Sequence, residues 1–211
     1  MNLVIPLRNN GSYHQLRFAL RSITTHHDIT RCILVGGKPD WYTGEHIPHK
    51  DYGPVFKEAN IRDKVLASGN VGTFLFANDD HILLAPITST WNKGLLSTTL
   101  ATRVGNGSYT RCLRNTLEYY GDVDNVDCHA PMFMTSEGIK RTAFDWPEYG
   151  IGFKTCYAQE NGIISEYMED CKVSDMPPAG REWFSLTDNF NLRLLAPMFP
   201  KACLFEKEYV S

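Results

Sequence analysis

Three short apolar runs, each followed at once by a polar loop, restrict the folds open to the first 85 residues of this chain. Asn2 to Leu7 reads as a buried strand and runs into Arg8-Asn9-Asn10-Gly11, a turn-rich loop. Ser12, with Gln15 three residues on, has the capping-box pattern, and Leu16, Ala19, Leu20 and Ile23 recur behind it at helical spacing. Arg31 to Val35 is a second strand, ending in Gly36-Gly37-Lys38-Pro39. Asn60 with Asp63 marks a second helix start, and Ile61 and Val65 share one of its faces. Thr73 to Ala77 is a third strand and leads straight into Asn78-Asp79-Asp80-His81. This order predicts an α/β fold with parallel pairing and right-handed crossovers. The loops after Leu7, Val35 and Ala77 then share the carboxyl edge of one sheet, where such folds bind ligands.

The second half is less regular. Helical segments are expected over Gly94–Arg103, Arg111–Tyr120, Ser136–Phe144 and Lys154–Glu160, a strand over Pro131–Thr135 and a mixed segment over Trp183–Leu195. No linker or repeat divides the chain, so 1–211 reads as one domain. Residues 1–85 would be its nucleotide-binding half and 86–211 its acceptor-side half.

Composition sets outer limits. Hydrophobic residues make up 43% and charged residues 21%, enough for a sizeable core. A net charge of −3 supplies no overall basic footprint for nucleic acid. Six cysteines without a C-x-x-C pair read as free thiols. Neither a secretory leader nor a membrane span is expected, which points to a cytoplasmic protein. G-x-G-x-x-G, G-x-x-x-x-G-K-[ST] and G-x-S-x-G are all missing, which disfavours nucleotide hydride transfer, P-loop chemistry and the α/β-hydrolase reaction.

The chemistry gathers around Asn78-Asp79-Asp80. Adjacent carboxylates at a strand end lose solvation and repel each other, and a hard divalent cation answers both problems. Asp79 and Asp80 are therefore the expected ligands of Mn²⁺ or Mg²⁺, with His129, just before the apolar run Met132-Phe133-Met134, as a third. Arg8, Lys38, Arg62 and Lys64 are candidate phosphate contacts, the last two from the first turn of a helix. Asp145, set among Phe144, Trp146 and Tyr149, and Asp188, in Thr187-Asp188-Asn189, are candidate catalytic carboxylates. A surface turn is the plain alternative for Asn78-Asp79-Asp80, and a cap or turn for the last two.

A strand leading into Pro6-Leu7-Arg8-Asn9, a second ending in Val35-Gly36-Gly37 and a third entering Asn78-Asp79-Asp80 resemble the GT-A type of nucleotide-sugar glycosyltransferase. Leu16–Ile23, Pro39–Trp41, His46–Pro48 and Phe74–Leu84 are also similar to the Stealth capsular polysaccharide phosphotransferases, although Leu7-Arg8-Asn9-Asn10-Gly11 stands where that group has an Asp-Gly pair. The chain also resembles small glycosyltransferase-like proteins of phages and bacteria, which implies a bacterial or phage-infected host. The resemblance implies a GT-A-like single domain with a mainly parallel sheet flanked by helices. It implies a metal-dependent transfer of sugar from a nucleotide-diphosphate donor, foremost a UDP-sugar, to a glycan or other hydroxylated acceptor. Pro6, Arg8, Asn9, Lys38, Arg62, Lys64, Asn78 and Asp79 would then contact the donor, with Asp79, Asp80 and His129 on the metal and Asp145 as base. The alternatives are sugar-phosphate transfer, glycosylation of hydroxymethylated bases in phage DNA, and a sugar- or nucleotide-binding module without catalysis.

Overall fold

The structure, a computed structural model, describes residues 1–9 and 11–207, so Asn10 of the first loop lies outside it. In chain order the elements are β1 (Asn2–Leu7), α1 (His14–His26), β2 (Arg31–Gly36), β3 (Glu45–Ile47), α2 (Lys57–Ala67), β4 (Thr73–Phe76), β5 (His81–Leu83) and β6 (Trp91–Asn92). They continue with α3 (Leu96–Ala101), α4 (Ser108–Tyr120), β7 (Met132–Thr135), α5 (Ser136–Lys140), α6 (Phe153–Asn161), β8 (Glu166–Tyr167), β9 (Lys172–Val173) and β10 (Trp183–Leu186).

The central sheet has the order β3-β2-β1-β4-β7. Its first four strands are parallel and β7 is antiparallel to β4. This is the mainly parallel α/β architecture that the sequence predicts. Parallel strands covered on both faces must be apolar on both. Successive side chains of β1 divide accordingly. Leu3, Ile5 and Leu7 join Leu16, Leu20 and Ile23 of α1 in one core cluster, while Val4 joins Val65 of α2 and Phe153 of α6 in another. Each such burial contributes roughly 1.5–3 kcal/mol.

A second sheet, β5-β10-β9, leans on α1 through Ala19, Ile82, Phe184 and Leu186. The acidic turn is the passage from the central sheet into this second one. The later chain is also tied back to α1: the fully buried Glu206 carboxylate accepts two bonds from Arg21, at 2.7 and 2.9 Å, and pairs with Arg17 at 3.4 Å.

Several local expectations are corrected. The Ser12–Gln15 capping box does not form. The helix starts at His14 behind Tyr13, which is left-handed at φ 54°. Gln15 instead donates to the Thr187 carbonyl at 2.7 Å. The second helix starts at Lys57, after a 3₁₀ turn over Pro54–Phe56, so Asn60 lies inside it. The Asn60 amide still serves the helix entrance, accepting from Tyr52 N and donating to the Gly53 carbonyl. In α5 the cap is Thr135, whose hydroxyl accepts from Gly138 N, and the helix ends at Lys140. Ser136 is used elsewhere, accepting from Val71 N.

Candidate functional site at the carboxyl edge

β4 ends at Phe76, and Asn78 to Asp80 make a tight turn into β5. His81 N donates to the Asn78 carbonyl at 3.3 Å, and Asn78 N donates to His81 Nδ1 at 3.2 Å. His81 is completely buried, which pushes its imidazole down to about 3 and leaves it neutral near pH 7. The turn is therefore built around an internal, uncharged acceptor.

Asp80 is fixed from the side of β10. Leu186 N donates to its carbonyl at 3.0 Å, and the Ser185 hydroxyl donates to its Oδ2 at 2.7 Å. Lys172 Nζ lies 3.3 Å from the same oxygen. Oδ1 accepts no hydrogen bond among the described residues, with only His81 Nε2 near it at 3.8 Å. Burial would raise the Asp80 carboxyl, but His81, the Ser185 bond, Lys172 and His129 outweigh it and bring it below the usual range.

Asp79 behaves in the opposite way. Burial, and then the Asp80 charge, push its carboxyl up to about 6; Asp188 adds to the rise and Arg8 opposes it. The structure thus brings the carboxylate of Asp188, from the turn after β10, within electrostatic reach of Asp79, together with Arg8 from the loop after β1. A carboxyl raised from 3.8 to about 6 binds its proton more tightly in the folded chain. Its share of stability is full below the unfolded value and is lost as pH rises from about 4 to about 6. Asp79→Asn is accordingly expected to stabilise the protein at pH 7 by on the order of 2 kcal/mol, with little change at pH 3.5. Urea unfolding at both pH values checks this, and an equal effect at both would contradict it.

β7 runs antiparallel to β4, pairing Met132 with Phe76, so the residues just before β7 arrive at the same edge. His129 is there, within electrostatic reach of Asp80. Its Nδ1 lies 2.7 Å from Asp170 Oδ2, and its backbone N donates to Oδ1 of the same carboxylate at 2.8 Å. His129 and Asn78 border a cleft of about 190 Å³ that also receives Lys57 and Glu58 from α2, Arg103 and Tyr109.

The loop after β1 is braced from below. Lys64, only 3% exposed, donates from Nζ to the Leu7 carbonyl at 2.7 Å and to Asp51 Oδ1. The other Asp51 oxygen accepts from Asn9 N at 2.9 Å, and Asn9 Nδ2 donates to the His49 carbonyl at 2.8 Å. Burial raises the Asp51 carboxyl, but the bonds from Lys64 and Asn9 prevail and hold it low. Gly36 stands directly beside this brace at φ +111°; a Cβ there would sit 2.1 Å from the Leu7 oxygen and 2.8 Å from Lys64 Nζ. Gly37 is equally constrained, with the Tyr13 hydroxyl 2.2 Å from where its Cβ would lie.

These contacts change the reading of several expected residues. Lys64 lies in the last turn of α2, not the first, and both of its partners are within the protein. Arg62 is likewise in mid-helix: it bonds Asp63 and the Phe144 carbonyl and stacks 4.2 Å over Trp146. Neither is a free cation at a helix start, which was the physical reason for assigning them to phosphate. Asp145 is exposed on a segment that packs outward, with Phe144 stacked on Tyr119 of α4 and Trp146 under Arg62 of α2. Pro6 is buried within β1 opposite Val35, whereas Lys38 is exposed just past β2. Asp51, Asp170, Lys172 and Ser185 are site partners without a sequence signal, since each meets its partner through tertiary contact.

The carboxylates of Asp79, Asp80 and Asp188 with the imidazole of His129 are the donor types that suit a hard divalent cation. Among the described residues no three acidic, imidazole or thiol groups stand together as a ready metal cage. A magnesium-type ion held by one or two carboxylates and completed by substrate phosphates does not require one. The raised Asp79 carboxyl and the unbonded Asp80 Oδ1 are where positive charge would be most stabilised.

No family model matches the chain, and neither does any curated protein. Among solved structures it is similar to glucosyl-3-phosphoglycerate synthase from Mycobacterium tuberculosis, crystallised with Mn²⁺, UDP and phosphoglyceric acid. Identity there is 14% over 79% of this chain and 66% of that one, with a TM-score of 0.43. It is also similar to the apo form of the glycosyltransferase GlyE from Streptococcus pneumoniae TIGR4, at 11% identity over 80% of this chain and 45% of that one, with a TM-score of 0.33. The chain thus spans less than two thirds of the length of either, and a likeness at this level does not extend to residues or substrates. No described helix is long and apolar enough to cross a membrane.

Proposed function

We propose that the protein is a glycosyltransferase that binds a nucleotide-diphosphate sugar together with Mn²⁺ or Mg²⁺ at the carboxyl edge of its central sheet. The observation that carries this reading is the convergence of Asp79, Asp80, Asp188 and His129 beside Arg8, from four separate segments, onto one edge. The three carboxylates in this gathering repel one another unless a proton or a cation joins them.

In this reading Asp80 Oδ1 and His129 hold the metal, with Asp79 and Asp188 adding negative charge around it. A bound divalent cation supplies charge neutralisation to the departing nucleoside diphosphate. Arg8 reaches the diphosphate from the loop that Lys64 and Asp51 hold in place, and Asn9 and Lys38 flank the nucleotide. Asn78 turns toward the cleft shared with Glu58 and His129, which has room for a sugar ring. Arg62, Lys64 and Asp145 have no direct part in it.

Incubation with UDP-sugars, Mn²⁺ and a panel of hydroxylated acceptors tests this reading. The expected product is free UDP, formed only with metal. Release of UMP would instead assign sugar-phosphate transfer. Tight donor binding without turnover on any acceptor or water would assign a binding module.

A further inference from the structure

Asp170 and Lys172 are separated by a single residue, and each reaches one of the two groups assigned above to the metal. Asp170 receives the His129 backbone N–H at 2.8 Å and lies 2.7 Å from His129 Nδ1. Lys172 Nζ lies 3.3 Å from Asp80 Oδ2. The segment between them is anchored by backbone: Ser185 N donates to the Cys171 carbonyl at 2.8 Å, and Lys172 pairs with Ser185 in the β9–β10 ladder. Ser185 in turn donates its hydroxyl to Asp80. One short strand start therefore touches both halves of the site.

The two contacts have opposite electrostatic sense. An ionised carboxylate only accepts hydrogen bonds. Asp170 is set as an acceptor by two unambiguous donors, the His129 backbone N–H at 2.8 Å and Lys93 Nζ at 3.4 Å. His129 Nδ1 must then carry the hydrogen, which leaves the lone pair of the neutral ring on Nε2. A carboxylate behind an imidazole in this way fixes the ring and makes it a better ligand. Lys172 does the reverse. Its ammonium competes for Asp80 and repels an arriving cation.

We propose that Asp170–Lys172 is a positioning strap for the cation site, in which Asp170 presents His129 through Nε2 and Lys172 is a tethered counter-charge on Asp80 Oδ2 that opposes a divalent cation arriving at Oδ1. This inference rests on the functional reading above. It assigns opposite signs to two neighbouring residues, which a merely structural strap does not.

The test is Mn²⁺ titration of the full chain, by electron paramagnetic resonance for the ion alone and by calorimetry at saturating UDP. Asp170→Asn is expected to weaken Mn²⁺ binding about 10–100-fold. Lys172→Met is expected to tighten it roughly two- to fivefold, less so at high salt, as suits a partly exposed ion pair. Nitrogen-15 spectra of labelled histidine, with the His129 signal among the seven identified by His129→Gln, should show Nδ1–H in wild type and a mixture of tautomers in Asp170→Asn. If Asp170→Asn folds poorly, Asp170→Glu replaces it, keeping the charge but moving the carboxylate, and must also weaken binding. Wild-type Mn²⁺ binding that neither variant alters, or that both alter in one direction, overturns the strap and leaves the functional reading standing. Failure of the wild type to bind Mn²⁺, with or without UDP, removes the functional reading and the strap with it.

Discussion

Asp80→Ala is expected to lower Mn²⁺-dependent binding of UDP by at least about 100-fold and to abolish transfer. Removing one ligand of a shared metal–diphosphate site costs the direct bond and the cation that neutralises the leaving group. The substitution also empties the acceptor used by Ser185 and Lys172, so its fold must be checked separately. The change should cost about 1–3 kcal/mol of stability, because the fully buried Ser185 hydroxyl loses its acceptor, whereas the partly exposed Lys172 can be hydrated. Calorimetry together with thermal unfolding of the variant separates the two effects. A folded Asp80→Ala protein that bound UDP and Mn²⁺ as wild type does would remove Asp80 from the site.

Lys64→Met is expected to cost about 3 kcal/mol of stability. The Nζ group is sequestered between Asp51 and the Leu7 carbonyl, and breaking a buried pair from one side leaves the other partner uncompensated. The side chain of Asp51 is 25% exposed, which places the loss at the lower end of the usual 3–5 kcal/mol because water can reach its carboxylate. For a chain of this size the melting temperature should fall by roughly 6–12 °C. The loop carrying Arg8 and Asn9 rests on the same Asp51, so weaker nucleotide binding should accompany the loss. Chemical unfolding of Lys64→Met, Asp51→Asn and the double variant measures the coupling. A loss below 1 kcal/mol for the lysine variant would show that the brace is not structural.

The central sheet was legible where apolar runs are long and uninterrupted. Asn2–Leu7, Arg31–Val35 and Thr73–Ala77 are β1, β2 and β4 within a residue at each end. Strands of two or three residues, such as β3, β5, β8 and β9, carry no periodicity to read, so the second sheet was not anticipated. Helix starts were misplaced where tertiary bonds replaced local caps, as with Gln15 on Thr187 and the turn at Pro54–Phe56 before α2.

The site divides in a similar way. The acidic turn was visible because two carboxylates abut apolar strands, and His129 because it precedes β7. Lys64 reads as a first-turn phosphate contact only if its helix starts at Asn60; the helix starts at Lys57, and the side chain reaches under the sheet edge to Leu7. Asp170 could not be found from the sequence: it lies 41 residues from His129, in a stretch with no motif of its own.

The most direct test of the account is calorimetric titration of the wild-type protein with UDP, with and without Mn²⁺, followed by GDP, CDP and ADP if UDP does not bind. The account predicts nucleoside diphosphate binding that is at least about tenfold tighter with the metal, since a divalent cation held by Asp80 would neutralise charge on the diphosphate. If none of the four nucleotides bound, with metal or without, the carboxyl edge would not be a donor site and Asn78-Asp79-Asp80 would be a turn between two sheets.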